Sequence, residues 1–171
     1  AQENSNTLAF GLRTESGFHK WTLSYDLNPL IGTWHQLAFT YDLTSKRVYL
    51  DGILLGANTG NSGDLLSCAG TLMFGSNVDA RYFSGLIDEV RIWDTERSQT
   101  EIESNMSQEL SGSESGLRGY WNFNSGTGTS LNDLAPNNNH GTIYGANWSF
   151  NAAPVIGPPL QPTNTYSLSF D

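Results

Sequence analysis

Cysteine is almost missing from this 171-residue chain: Cys68 stands alone, which excludes an intramolecular disulfide and leaves stability to the hydrophobic core. In its LLSCAG context the thiol reads as a small buried apolar residue. Cations are scarce as well. Eight Lys and Arg stand against 17 Asp and Glu, for a formal net charge of −9, whereas a nucleic-acid surface needs clustered cations to displace counterions. No apolar run is long enough to cross a bilayer, so membrane insertion is not expected. No signal-peptide pattern begins at Ala1, which points to a mature or excised segment or to a chain never exported. What is present is 37% hydrophobic and 12% aromatic residues, the composition of a globular domain with a real core, and one domain is the expectation. The acidic balance suits solubility, or salty and calcium-containing surroundings.

Residues 32–93 read as short strands punctuated by turns. His35, Leu37, Phe39 and Tyr41 alternate with Trp34, Gln36, Ala38 and Thr40, the period of two that a sheet requires. A polar turn follows at 42–46, and Val48 and Leu50 resume the alternation up to Asp51-Gly52. An Asp-Gly pair between apolar runs marks a tight I′ turn, because both central positions need positive φ. Residues 47–50 and 53–56 are therefore expected to pair antiparallel. A loop at 58–63 and strands at 71–74 and 83–93 complete an all-β pattern rather than βαβ units.

Beyond residue 94 the character changes. Ser98 with Glu101 makes a capping box, and Ile102 with Met106 has one-turn apolar spacing, so a single short helix is expected over 98–106. Residues 111–116 form a Ser/Gly/Glu connector whose GSESG centres on Glu114, and it is not a nucleophile elbow. Tyr120, Asn122 and Asn124 alternate with Trp121 and Phe123, and another short strand is expected at 142–144. The loop at 133–141 between them is rich in Asn and Gly, which tolerate left-handed conformations. The proline-rich stretch 152–162 reads as a semi-rigid spacer before the closing TYSLSFD.

The stretches GTWHQLAFTYD and IDEVRIWD, the SQTEIE segment, the YWNF strand and the HGT strand resemble, in this order, the laminin-G-like jelly rolls of the concanavalin A-like superfamily. The resemblance implies an antiparallel β-sandwich (jelly roll) over 1–150, a spacer at 151–164 and a terminal strand at 165–171. It also implies a secreted or cell-surface location. The terminal SLSFD resembles the strand that opens such a sandwich, ordinarily followed by another pair of core strands before the GTWHQLAF-like strand. That pair is read as absent here, so the order is that of a tandem-repeat unit cut out of phase. A fragment of an array, a circular permutant and a strand-exchanging protein are the three readings, with self-association through an open sheet edge as a consequence.

Catalytic patterns are hard to find. A jelly-roll hydrolase needs two carboxylates on one face of a strand, flanking one sugar bond; Asp88 and Glu89 are adjacent and in a regular strand point to opposite faces. Of the three histidines, His19, His35 and His140, His35 sits on an apolar face and reads as a satisfied core residue. Calcium wants several oxygens, which Asp133 and Asn139 in the Asn/Gly loop, together with Asp88, would supply. The alternative is that Asp133 caps its own turn and that Asp88 and Glu89 pair with Arg91 or cap backbone. Trp21 and Tyr82 are the candidates for stacking on sugar faces, although His19, Trp21, Leu23 and Tyr25 also form an alternating face that suits burial. Sequons occur at Asn105 and Asn147. Two function classes follow: a non-catalytic extracellular module binding glycan or protein, and a structural spacer or strand-exchanging assembly unit of a surface protein.

Overall fold

Strands Thr7–Thr14 (β1) and Gly17–Ser24 (β2) pair antiparallel over their full length, reversing at Gly17, whose φ of 126° excludes most other residues. The computed structural model describes residues 7–60, 62–67, 70–76, 81–155 and 166–170; Cys68, Asp171 and most of the proline-rich stretch lie outside them. The β1–β2 hairpin corrects the sequence reading, which held that a strand pair ahead of residue 32 was absent. The alternating face of His19, Trp21 and Leu23 read from the sequence lies on its second strand.

The architecture is all-β and antiparallel with one short helix, the sandwich class expected from the sequence. It resolves into two compact units, residues 1–69 with 96–106, and residues 70–95 with 107–171.

In the first unit Leu37–Tyr41 (β3), Lys46–Leu50 (β4) and Ile53–Asn58 (β5) form a sheet in sequential order. Asp51 and Gly52 have φ of 50° and 79°, the positive pair expected of the turn between β4 and β5. Cross-strand partners share a face: Leu37, Leu50, Phe39, Val48, Tyr41 and Lys46 lie together, with Val48 and Lys46 fully buried. The hairpin contributes to this side, since Phe10 lies 5.0 Å from Phe39 and the ring of Trp21 rests against Gly56. On the other side Thr40 and Arg47 both donate to Glu96. Two expectations are corrected here. Strand β3 begins at Leu37 rather than residue 34, because His35 is drawn to the turn, bonding Asp51 Oδ2 at 2.7 Å and Thr33 at 2.7 Å; it is satisfied but only partly buried, at the start of the sheet and not in the core. Along β3 the most buried side chain is Thr40, on the polar face, while Leu37 and Phe39 keep substantial exposure.

Helix Gln99–Asn105 (α1) has the capping box in full. Ser98 Oγ accepts from the Glu101 backbone N–H, and the Glu101 carboxylate accepts from the Ser98 N–H. Ile102 is its buried residue.

The second unit is built from distant pairings. Gly85–Ile87 (β6), Val90–Trp93 (β7), Leu117–Trp121 (β8), Ser130–Leu131 (β9), Gly141–Thr142 (β10), Asn147–Ser149 (β11) and Ser167–Phe170 (β12) form the sheets β7–β8, β9–β10 and β11–β12–β6. Tyr120 joins Leu110, Leu117 and Ala135 in one cluster; Trp121 and Phe123 join Leu131 and Leu168 in another. Strand β8 is thus buried on both faces, which accounts for its lack of exposed apolar positions. The strand expected at 83–93 is broken: Glu89 has φ of 54° and separates β6 from β7. No strand forms at 71–74, where Phe74 instead packs edge-on to Trp121 at 5.0 Å; the nearby pairing is a single bridge between Ser76 and Tyr82. The strand expected at 142–144 ends at Thr142.

Candidate functional site

Asp133 is 3% exposed and holds three backbone N–H groups: Oδ1 accepts from Tyr120 and Ala135, each at 2.9 Å, and Oδ2 accepts from Asn139 at 2.8 Å. It ties the Asn/Gly loop to β8. Asn139 Nδ2 adds a bond to the Arg118 carbonyl at 3.3 Å, and His140 Nδ1 accepts from the Asp133 N–H at 3.1 Å. Asp88 also serves backbone, accepting from Glu89 N and from Ala153 N, each at 2.9 Å. This donor set does not fit calcium. A carboxylate has about four acceptor positions, and three of those on Asp133 are filled by N–H groups whose loss would leave buried donors unsatisfied. Among the described residues no three His, Cys, Asp or Glu side chains gather into a metal-type cluster. Asp133 and Asn139 are brought together in the loop, and Asp88 holds the backbone of residues 89 and 153.

Glu89 lies between these loops, 9% exposed at its side chain. It pairs with Arg91 at 2.6 Å and accepts from the Tyr120 hydroxyl at 3.0 Å. That hydroxyl in turn accepts from Leu110 N at 3.2 Å, and the Arg91 guanidinium lies 5.7 Å from the Tyr120 ring centroid and donates to the Gln108 carbonyl. Burial pushes the Glu89 carboxyl up to about 7, against the pull of Arg91 and the Tyr120 hydroxyl. Burial, followed by the nearby Glu89 charge, likewise pushes the Tyr120 phenol up. The Glu89–Arg91 pair is legible in the sequence two residues apart; Tyr120, 31 residues on, is not.

The proposed stacking residues part ways. Trp21 is half-buried on the inward face of β2, its indole 3.4 Å from where a Cβ of Gly56 would stand, so it packs against β5. Tyr82 is 75% exposed. A second exposed ring was missed by sequence reasoning: Tyr144, 86% exposed. Both β6 and β11 run antiparallel to β12 and therefore parallel to each other. Tyr82 stands three residues ahead of β6 and Tyr144 three residues ahead of β11, so both leave the same end of the three-stranded sheet, on either side of β12. Two strand spacings separate those flanks, about 10 Å. Exposed Arg81 precedes Tyr82, and exposed Asn147 opens β11 three residues after Tyr144. The signal that would have found Tyr144 is its place before Gly145, whose φ of 75° turns the chain out of β10 toward β11.

Residues 1–103 match the laminin-G type of the concanavalin A-like lectin/glucanases superfamily. The chain belongs to that superfamily. This laminin-G-like chain is 29% identical over 102 residues to mouse pappalysin-1, a match covering 57% of the chain and 6% of that protein. Among solved structures it is similar to a candidate carbohydrate binding protein of Bacteroides ovatus, with a TM-score of 0.60 and 24% identity, covering 72% of this chain and 37% of the other. That likeness shows a shared fold. The chain therefore spans less than half of either relative's length. Among the described residues no helix is long and apolar enough to cross a membrane.

Proposed function

We propose that the laminin-G-like chain is a non-catalytic extracellular module that binds carbohydrate at the sheet end flanked by Tyr82 and Tyr144. The observation that carries this reading is the pair of highly exposed tyrosines leaving one end of the β11–β12–β6 sheet. A buried aromatic contributes to the core; two tyrosines 75% and 86% exposed contribute little to it and offer their ring faces to the apolar faces of sugars. Arg81 and Asn147 offer hydrogen bonds to the sugar's polar rim. The superfamily and the described ligand class of the Bacteroides structure support the same reading. Asp88 and Asp133 hold backbone and Glu89 holds Arg91 and the Tyr120 hydroxyl, so none of the three is assigned to hydrolysis.

The test is a glycan screen run with calcium and with chelator, followed by calorimetry on Tyr82→Ala and Tyr144→Ala. Each substitution is expected to weaken binding about tenfold, the equivalent of about 1.4 kcal/mol, without lowering Tm. An array with no bound glycan in either condition, or affinity indifferent to both substitutions, would overturn the proposal.

A further inference from the structure

The hairpin of β1 and β2 has an outer face that the core does not use. In its register Arg13 stands opposite Phe18, Gly11 opposite Lys20 and Ala9 opposite Thr22, and all six residues are exposed. Alternation turns Phe10, Leu12, Thr14 and Trp21 the other way. Phe18 is the only aromatic of the six, and at 65% exposed it contributes little to the core.

Its ring is nevertheless held in place. A Cβ on Gly11 would stand 2.8 Å from Phe18 Cζ and 3.1 Å from Cε2, so the far end of the ring lies over the bare backbone of β1, as a cross-strand aromatic covers a strand glycine. Gly11, Ala9 and Thr22 are all short, and the rest of the ring stands clear of them toward solvent. A ring already seated stacks on a ligand without first losing rotamer freedom.

Two of the chain's eight cations flank it. Arg13 is its cross-strand partner, with about 5 Å between their Cβ atoms. Lys20 is two residues along β2, about 7 Å away, and opposite the glycine that the ring covers. One apolar plate between two cations matches a ligand that presents an apolar face and a negative charge side by side. The net charge of −9 repels a densely charged polyanion, so a sugar with a single carboxylate suits the face better than a heavily charged one.

We propose that the outer face of the β1–β2 hairpin is a second ligand site, one for acidic saccharides. The C–H face of a uronic acid stacks on Phe18, and its carboxylate accepts hydrogen bonds from the Arg13 guanidinium and the Lys20 ammonium. The site lies in the first unit and rests on neither Tyr82 nor Tyr144.

The test is calorimetry on the full chain in a Tyr82→Ala, Tyr144→Ala background, so that the hairpin face is read by itself. The probes are oligogalacturonate, the same oligomer with its carboxyls reduced to alcohols, and poly-glutamate. Oligogalacturonate is expected to bind, and to bind less well at physiological than at low salt. Phe18→Ala is expected to weaken it about tenfold. The Arg13→Gln, Lys20→Gln pair, which leaves the ring and its glycine untouched, is expected to weaken it by a similar factor and to remove the salt dependence, with Tm unchanged. The reduced oligomer is expected to bind the parent background about as weakly as oligogalacturonate binds the glutamine pair. Absence of oligogalacturonate binding in this background, affinity indifferent to either set of substitutions, or poly-glutamate binding as tight as oligogalacturonate would each overturn the proposal.

Discussion

The two compact units bury short antiparallel strands by opposite routes. In the first, partners are neighbours in sequence: β1 with β2, then β3, β4 and β5 in order, each junction a turn with its own chemistry. In the second, β12 reaches back to β6, β9 pairs with β10 across the Asn/Gly loop, and β8 pairs with β7 across the insertion that carries α1. The difference shows in where the carboxylates go. Those of the first unit sit at turns and in partly exposed ion pairs: Asp42 accepts from Thr44, Ser45 and Arg47, bonds that hold it well below the usual carboxylate range, with the Thr44 hydroxyl foremost. In the second unit two carboxylates hold distant backbone, buried Asp133 to β8 and partly buried Asp88 to residue 153. A hairpin closes its own loop, whereas a pairing between distant strands leaves loop N–H groups that something must satisfy.

The sharpest way to break this contrast is to remove Asp133. Asp133→Ala strands two buried N–H groups and a third, partly buried, at Asn139, and is expected to cost about 4 kcal/mol, read by chemical denaturation, with hydrogen exchange rising first in residues 117–141. Leu168→Ala removes the side chain through which β12 closes the aromatic cluster, at an expected cost of about 3 kcal/mol, again with the loss confined to the second unit in hydrogen exchange. Glu89 supplies a pH test. Its carboxyl rises from 4.5 to about 7 on folding, so the protonated form is the one the fold favours; its contribution is full below pH 4.5 and is lost as pH rises through 7. Stability is expected to fall by about 2 kcal/mol between pH 5 and pH 8, and Glu89→Gln to flatten that slope in Tm against pH. The smallest effect belongs to the first unit. Gly52→Ala forces a Cβ to φ of 79° and to within 2.6 Å of Glu103 Cγ, a flexible side chain that can give way, so about 1 kcal/mol is expected. Should Gly52→Ala prove costlier than Asp133→Ala, the contrast between self-closing and carboxylate-held loops would fail.

Legibility in the sequence follows the same division. The Asp51-Gly52 turn, the Ser98–Glu101 box and the strands they border are readable because each signal and its partner lie within a few residues. The hairpin of two eight-residue strands at the start was not read as a pair, although the alternation of His19, Trp21 and Leu23 was visible, because its inward face mixes Thr14 and His19 with Leu12 and Trp21. The break at Glu89 was not readable: its positive φ accompanies a bond from Ala153 N to Asp88, 65 residues apart. Asp133 was recognisable as a loop acid, and the reading that it caps backbone matches its contacts, but its bond to Tyr120 depends on β8 lying beside it. Tyr82 was found from its polar neighbours; Tyr144 was not, since its exposure depends on β10 ending at Thr142 instead of running on.

The amino-acid sequence by itself determined the all-β class, the tight turn at 51–52, the capped helix and the superfamily, because turn chemistry, capping and alternation are local properties of the chain. The tertiary structure alone decided which backbone N–H groups Asp88 and Asp133 hold, that Trp21 packs while Tyr82 and Tyr144 face solvent, and that the last strand lies at the centre of a sheet. Each of those outcomes depends on a partner many residues away, and only the folded chain sets which distant N–H, ring or strand edge arrives beside a given side chain.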